Sequence, residues 1–161
     1  MATSSQPTPA QTIGPFFGNG LGWLGETAPT RSALLVNGRV LDGAGEPVGD
    51  AMIEAWMPAH EAGIVSGIQR VASDAEGRFR LHFPPPEPGQ PAAYITLFAR
   101  GLLEQRFTAV WIEGLGSGDL WEQTPVSRRG TLQARALSEG QYAWNIVMQG
   151  TEETVFFDYQ Q

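Results

Sequence analysis

From residue 33 onward, apolar and polar residues alternate with a period of two in short runs separated by glycine and proline. That is the pattern of half-buried strands, not of helices. ALLVNGRVLD (33–42) and AMIEAWM (51–57) flank the turn-rich GAGEPVGD. Val71 to Ser73 lead into Asp74-Ala75-Glu76-Gly77, a hairpin-type turn. GRFRLHF (77–83) alternates most cleanly, with Phe79, Leu81 and Phe83 on one face and Arg78, Arg80 and His82 on the other. PPPEPGQP (84–91) lacks the N–H groups a ladder needs and reads as a loop. AYITLFA (93–99) and RFTAVWIE (106–113) are strands, LGSGDLWEQ is a loop or short helical turn, and TLQARAL, QYAWNIVMQ and ETVFFDY are three closing strands. Short strands at regular spacing predict an all-β fold, an antiparallel β-sandwich spanning 31–161. Residues 1–30 form an N-terminal arm ahead of it. Within the arm, QTIGPFFGNG (11–20) cannot enter a ladder, yet Ile13, Phe16 and Phe17 are too apolar for a solvated tail and need a surface to pack on.

Composition narrows the function. A hydrophobic content of 42% supports a full core in 161 residues. The net charge of −7 argues against a nucleic-acid surface, which needs a basic patch. No apolar run is long enough to span a bilayer, and the polar MATSSQPTPA lacks the basic start of a signal peptide. The absence of cysteine removes disulfides, thiolate metal sites and cysteine nucleophiles together. A cytoplasmic location is expected.

Few residues carry evident chemistry. The two histidines, His60 in the loop MPAHEAG and His82 on the polar face of a strand, have no second imidazole at ligand spacing. Gly116-Ser117-Gly118 is not a nucleophile elbow and reads as a flexible loop. Glu152 and Glu153, as strand neighbours, point to opposite faces and cannot share a substrate. Tyr94, Tyr142 and Tyr159 lie on predicted strands, where a phenol is usually a core or interface aromatic; phenolate ligation of a hard ferric ion is the rarer use. No catalytic or metal-binding residue stands out in this chain.

Five segments carry a resemblance: TPAQTIGPFF, VNGRVLDGAGEPVGDAMIEAW, DAEGRFR, FARGLL and ETVFFD. In this order, from residue 8 to residue 158, they resemble the α subunits of the protocatechuate 3,4-dioxygenases, non-haem ferric intradiol dioxygenases of bacterial aromatic degradation (the β-ketoadipate pathway). The resemblance implies a β-sandwich of the intradiol type and a hetero-oligomer with a related, iron-bearing β subunit. It also implies that the assembled enzyme cleaves protocatechuate with O2 to 3-carboxy-cis,cis-muconate. In the β type, Fe(III) is held by two tyrosines and an H-x-H pair. Here the first tyrosine's loop is PAHEAGIVSGIQR, the second's is PPPEPGQP, and the H-x-H positions match Ala92 and Tyr94, so the ligand set is missing. The segments between Trp56 and Val71 and between Glu113 and Arg128 are shorter than in typical α subunits.

The resemblance further implies an active site at the α/β boundary, with the arm 8–17 packed over the partner's iron pocket. Thr12, Gly14 and Pro15 would line the substrate mouth, and Phe16 and Phe17 would anchor the arm. Arg100, in FARG, would lie near the boundary, biasing the pocket towards an aromatic carboxylate or holding the arm. Trp111, Trp121 and Phe156 are candidates for exposed interface aromatics, and each fits a core position equally well. Two rival functions stay open at this point: a non-catalytic transthyretin-like interaction module, and a stand-alone intradiol dioxygenase with an unusual iron site.

Overall fold

The computed structural model describes residues 34–58 and 67–158. Thr12, Gly14, Pro15, His60 and Tyr159, and the arm with them, lie outside the described residues.

Nine strands connect into one folded-over sheet. They are β1 (Leu34–Leu41), β2 (Met52–Trp56), β3 (Ile68–Ala72), β4 (Arg78–Phe83), β5 (Ala93–Phe98), β6 (Arg106–Ile112), β7 (Gln133–Ser138), β8 (Gln141–Ala143) and β9 (Ile146–Val147). The order is β3-β2-β5-β6-β7-β8-β1-β4, with β9 beside β1. One layer, β3-β2-β5-β6, is antiparallel throughout. It joins the second through a two-residue parallel ladder, Trp111 with Gln133 and Ile112 with Ala134. The inward faces of both layers share one core, in which Val36, Leu81 and Phe83 meet Ile53, Ile95 and Leu97. Phe79, Leu81 and Phe83 are buried, as their alternation predicts. The outer edges of the layers, β3 and β4, meet through buried Gln69, whose Oε1 accepts the His82 N–H at 2.9 Å.

The predicted sandwich is present, but its pairing is mixed rather than antiparallel throughout. β7 runs parallel to β6, and both β8 and β9 run parallel to β1. A parallel neighbour requires a long crossover. Helix α1 (Asp119–Gln123) and a 3-10 helix (Val126–Leu132) supply it between β6 and β7.

Two predicted strands differ. QYAWNIVMQ is split into β8 and β9 at Trp144-Asn145, where a side chain takes the place of one ladder bond. Asn145 Oδ1 accepts the Arg39 N–H at 3.0 Å, and buried Trp144 turns inward so that its Nε1 donates to the Thr131 carbonyl at 2.8 Å. ETVFFDY is not a strand: among its described residues only Phe157 pairs, with Phe107. The hydroxyl of Thr108 donates to the Val155 carbonyl at 2.7 Å and that of Thr131 accepts the Val155 N–H at 3.2 Å, so both backbone groups are taken by side chains. Glu152 lies in the preceding turn, so the pair Glu152-Glu153 does not sit on a strand.

Trp111 is not an interface aromatic: it is 1% exposed. Strand β6 is buried on both faces because α1, the 3-10 helix and the final segment cover its outer side, forming a second cluster around Ala109, Trp111 and Leu132. Trp121 packs against that cluster and Phe156 against the main core, both half-buried.

Candidate functional site

Two places could carry function, and they lie at opposite ends of β5. Arg100 stands two residues beyond the strand's last residue, and Tyr94 is the second residue of the strand. At about 3.3 Å per residue they are roughly 15–20 Å apart.

At the first end, Arg100 Nε lies 3.5 Å from Asp50 Oδ2. Asp50 occupies the left-handed region at φ 65°, a conformation aspartate tolerates better than most residues. Its Oδ1 is buried without a hydrogen-bond partner. The arginine side chain is 59% exposed, so the pair contributes little to stability. What it does is hold the guanidinium over the β1–β2 connection.

At the second end, a cavity of about 520 Å3 opens between the Gly89–Pro91 loop, Tyr94, Trp111 of β6 and the Ser117–Leu120 segment. Gly116-Ser117-Gly118 is a pinned loop. A Cβ on Gly116 would come within 2.3 Å of the Trp121 ring, and Ser117 offers its carbonyl to Trp111 Nε1 at 3.0 Å. Trp111 and Trp121 pack with ring centroids 5.4 Å apart. Gly118, at φ 95°, brings its backbone so close to Gly89 that a Cβ would lie 2.5 Å from that carbonyl. The Tyr94 hydroxyl reaches Gln90 Oε1 at 3.4 Å, a long contact.

Ala92 and Tyr94, the H-x-H positions of the resemblance, are on this strand end. Ala92 is buried and offers no donor. One phenol and one amide do not fit a ferric ion, which needs several hard or imidazole ligands. Among the described residues no group of three or more His, Asp or Glu side chains could hold a metal. His82, on β4, does not line the cavity, and its pKa is lowered by burial first and then by the Arg80 charge. Tyr142, on β8, packs half-buried against the main core.

The cavity escaped the sequence, because its walls come from three separated segments. Trp56 also escaped, yet the signal was there: alternation in MIEAW places Ile53 and Ala55 inward and Trp56 outward, and it is 52% exposed.

Comparison with known proteins decides the family. The chain is 31% identical to the alpha chain of protocatechuate 3,4-dioxygenase from Burkholderia cepacia, over 97% of this chain and 99% of that protein. The chain belongs to the protocatechuate 3,4-dioxygenase alpha-chain family. The alpha chain from Pseudomonas putida is 27% identical over 94% of this chain and 96% of its own length. No family profile matches. Among solved structures, the dioxygenase domain of a carbohydrate-binding fusion from Streptomyces sp. SirexAA-E superposes with a TM-score of 0.53 at 20% identity, covering 91% of this chain and 100% of that one. An intradiol ring-cleavage dioxygenase from Tetranychus urticae does so with a TM-score of 0.54 at 10% identity, covering 80% and 86%. These two likenesses establish the fold. As an alpha chain of this family, the protein is a subunit of an intradiol ring-cleaving oxidoreductase with more than one kind of subunit.

Proposed function

We propose that this chain is the iron-free α subunit of a protocatechuate 3,4-dioxygenase and works only beside an iron-bearing β subunit. The assembled enzyme opens protocatechuate between its two hydroxylated carbons, incorporates both atoms of O2 and yields 3-carboxy-cis,cis-muconate. The observation that carries this reading is the match to an alpha chain along nearly the whole length of both proteins. The chemistry of the donors at Ala92 and Tyr94 agrees: this chain is unsuited to hold the iron, so the Fe(III) belongs to the partner.

In this reading the chain supplies walls. Gly14 lets the arm's backbone approach the substrate closely, and Pro15 holds a fixed φ without a donor to satisfy. Thr12 offers a hydroxyl at the mouth, and Arg100 a positive charge suited to the substrate carboxylate. The reaction takes place in the cytoplasm; no helix among the described residues is long and apolar enough to cross a membrane.

The test is co-expression with an iron-bearing β subunit of this family. The complex is expected to carry iron, show a tyrosinate-to-iron band in the visible, and consume O2 and protocatechuate in equal amounts. The isolated chain, given iron anaerobically, oxidised and desalted, is expected to show no band. A stoichiometric band on the isolated chain that vanishes in Tyr94→Phe would overturn the assignment.

A further inference from the structure

Acidic residues outnumber basic ones by 17 to 10 in this chain, yet one face of the fold reverses the balance. Val36 and Val40 of β1, Phe79 and Leu81 of β4 and Ala134 of β7 point into the core, so the residues alternating with them face outward from the β7-β8-β1-β4 layer. None of the outward positions on these four strands carries a carboxylate, and four carry arginine: Arg39, Arg78, Arg80 and Arg135. Arg78 is held by Asp74 at 3.8 Å and Glu76 at 3.3 Å. Arg39, Arg80 and Arg135 are exposed and form no ion pair among the described residues. Arg39 stands directly opposite Arg78 in the ladder, a like-charge placement that costs stability.

The three unpaired arginines surround one spot. Arg80 pairs with Asn37, Asn37 with Ala143 and Ala143 with Arg135, a single row across four strands. Arg39 is two residues from Asn37 on β1. Strand spacing and rise put the backbones of Arg80, Arg39 and Arg135 roughly 5, 7 and 10 Å from that of Asn37. Asn37 and Ala143, half-buried and uncharged, make the floor. Next to this floor a cavity of about 440 Å3 is lined by Gln133, Arg135, Ala143 and Asn145, a volume suited to a small molecule. Asn145 spends its Oδ1 on the Arg39 N–H, which leaves its Nδ2 free to donate. Glu152 also lines the cavity and confines an anion to the arginine side. The guanidinium fork matches a carboxylate, and three forks around so small a floor fit one anion with several carboxylates. A long polyanion would have to run on over a chain of net charge −7.

We propose that Arg39, Arg80 and Arg135 form a binding site for a small tricarboxylate, and that its ligand is the ring-opened product of the enzyme. The choice of ligand rests on the functional reading above: protocatechuate carries one carboxylate, and cleavage between its hydroxylated carbons adds two. The site distinguishes product from substrate by the number of carboxylates. It lies on the layer that does not carry Tyr94 and its cavity.

The experiment titrates the co-expressed complex by calorimetry with 3-carboxy-cis,cis-muconate, benzoate and inorganic phosphate. It compares wild type, Arg80→Gln, Arg135→Gln, the triple variant Arg39→Gln/Arg80→Gln/Arg135→Gln and, as control, Arg78→Gln, with folding checked by circular dichroism and melting. Wild type is expected to bind product at one more site per chain than the triple variant. Each single variant is expected to weaken that site about tenfold, the loss of one charge-assisted hydrogen bond. Arg78→Gln is expected to match wild type, and kcat/KM for protocatechuate to stay unchanged throughout. Benzoate and phosphate are expected to bind there at least tenfold more weakly than product. Equal product binding by wild type and the triple variant overturns the site and leaves the subunit reading intact. Phosphate binding as tightly as product overturns the tricarboxylate assignment. Binding through the arginines by an iron-loaded complex that does not cleave protocatechuate overturns the functional reading and the choice of ligand, and leaves the anion site. If the triple variant does not fold, the two single variants decide the matter.

Discussion

Removing residues 1–17 is expected to lower kcat/KM for protocatechuate by on the order of 10–100-fold while leaving the chain folded and the complex assembled. Among the described residues the strands and their shared core run from Leu34 onward, and the proposed reading expects them to fold without the first 17 residues. In the proposed reading the arm positions substrate, and small misplacements in a pocket cost rates of that order. Gly14→Val isolates the effect. A branched side chain where backbone should meet the substrate is expected to raise KM, with kcat falling as the reacting atoms are displaced. Thr12→Ala removes one hydrogen bond, about 0.5–1.5 kcal/mol, and is expected to be the mildest. The measurement is steady-state kinetics of the co-expressed complex, with iron content and assembly checked first. A truncated complex with full iron and unchanged kcat/KM would mean that the arm takes no part in the site.

Gly38→Ala is expected to lower the stability of the chain by about 3 kcal/mol, and Gly38→Val by more. Gly38 sits in β1 opposite Phe79. A Cβ there would lie 1.9 Å from the Trp144 carbonyl oxygen and 2.5 Å from the Phe79 ring. Overpacking costs about 1–3 kcal/mol when side chains can yield. Here the obstacle is backbone, tied at the same residue by the Trp144 N–H to Asn37 carbonyl bond of 3.0 Å. Phe79 cannot retreat, being 3% exposed and edge-on to Trp144. Alanine's smaller entropy loss on folding offsets only about 0.5–1 kcal/mol. For a chain of this size, about 3 kcal/mol corresponds to a fall in Tm of roughly 6–12 °C. Gly130→Ala is the control, since nothing lies within 4 Å of its Cβ position. A Gly38→Ala protein that melts with the control would show that β1 and the Trp144 segment separate freely.

The alternating strand that buries Phe79, Leu81 and Phe83 was legible because one face of β4 is core and the other solvent, so the side-chain period reports burial directly. The turn before it was legible because its bonds are local. Asp74 Oδ1 accepts the N–H groups of Glu76 and Arg78 at 3.0 and 2.7 Å, and Gly77 takes φ 72°.

Other features depend on residues far apart in sequence. β8 and β9 divide where Asn145 meets Arg39 across the sheet, and nothing in QYAWNIVMQ announces that partner. The segment ETVFFD has the composition of a strand, but Thr108 and Thr131 take both backbone groups of Val155 with their hydroxyls. Trp111 alternates correctly for either face, and only the cover from α1 and the final segment made its face a second core. The cavity at Tyr94 needed the Gly89 and Gly118 backbones brought together. The residues by themselves therefore determined a β-rich sandwich, because strand periodicity and turn chemistry are local. Only the tertiary structure decided that Arg100 and Tyr94 stand at opposite ends of one strand, that Trp56 is left exposed, and that β6 has no free face. Those outcomes follow from which segments cover which strands, a competition among non-local contacts.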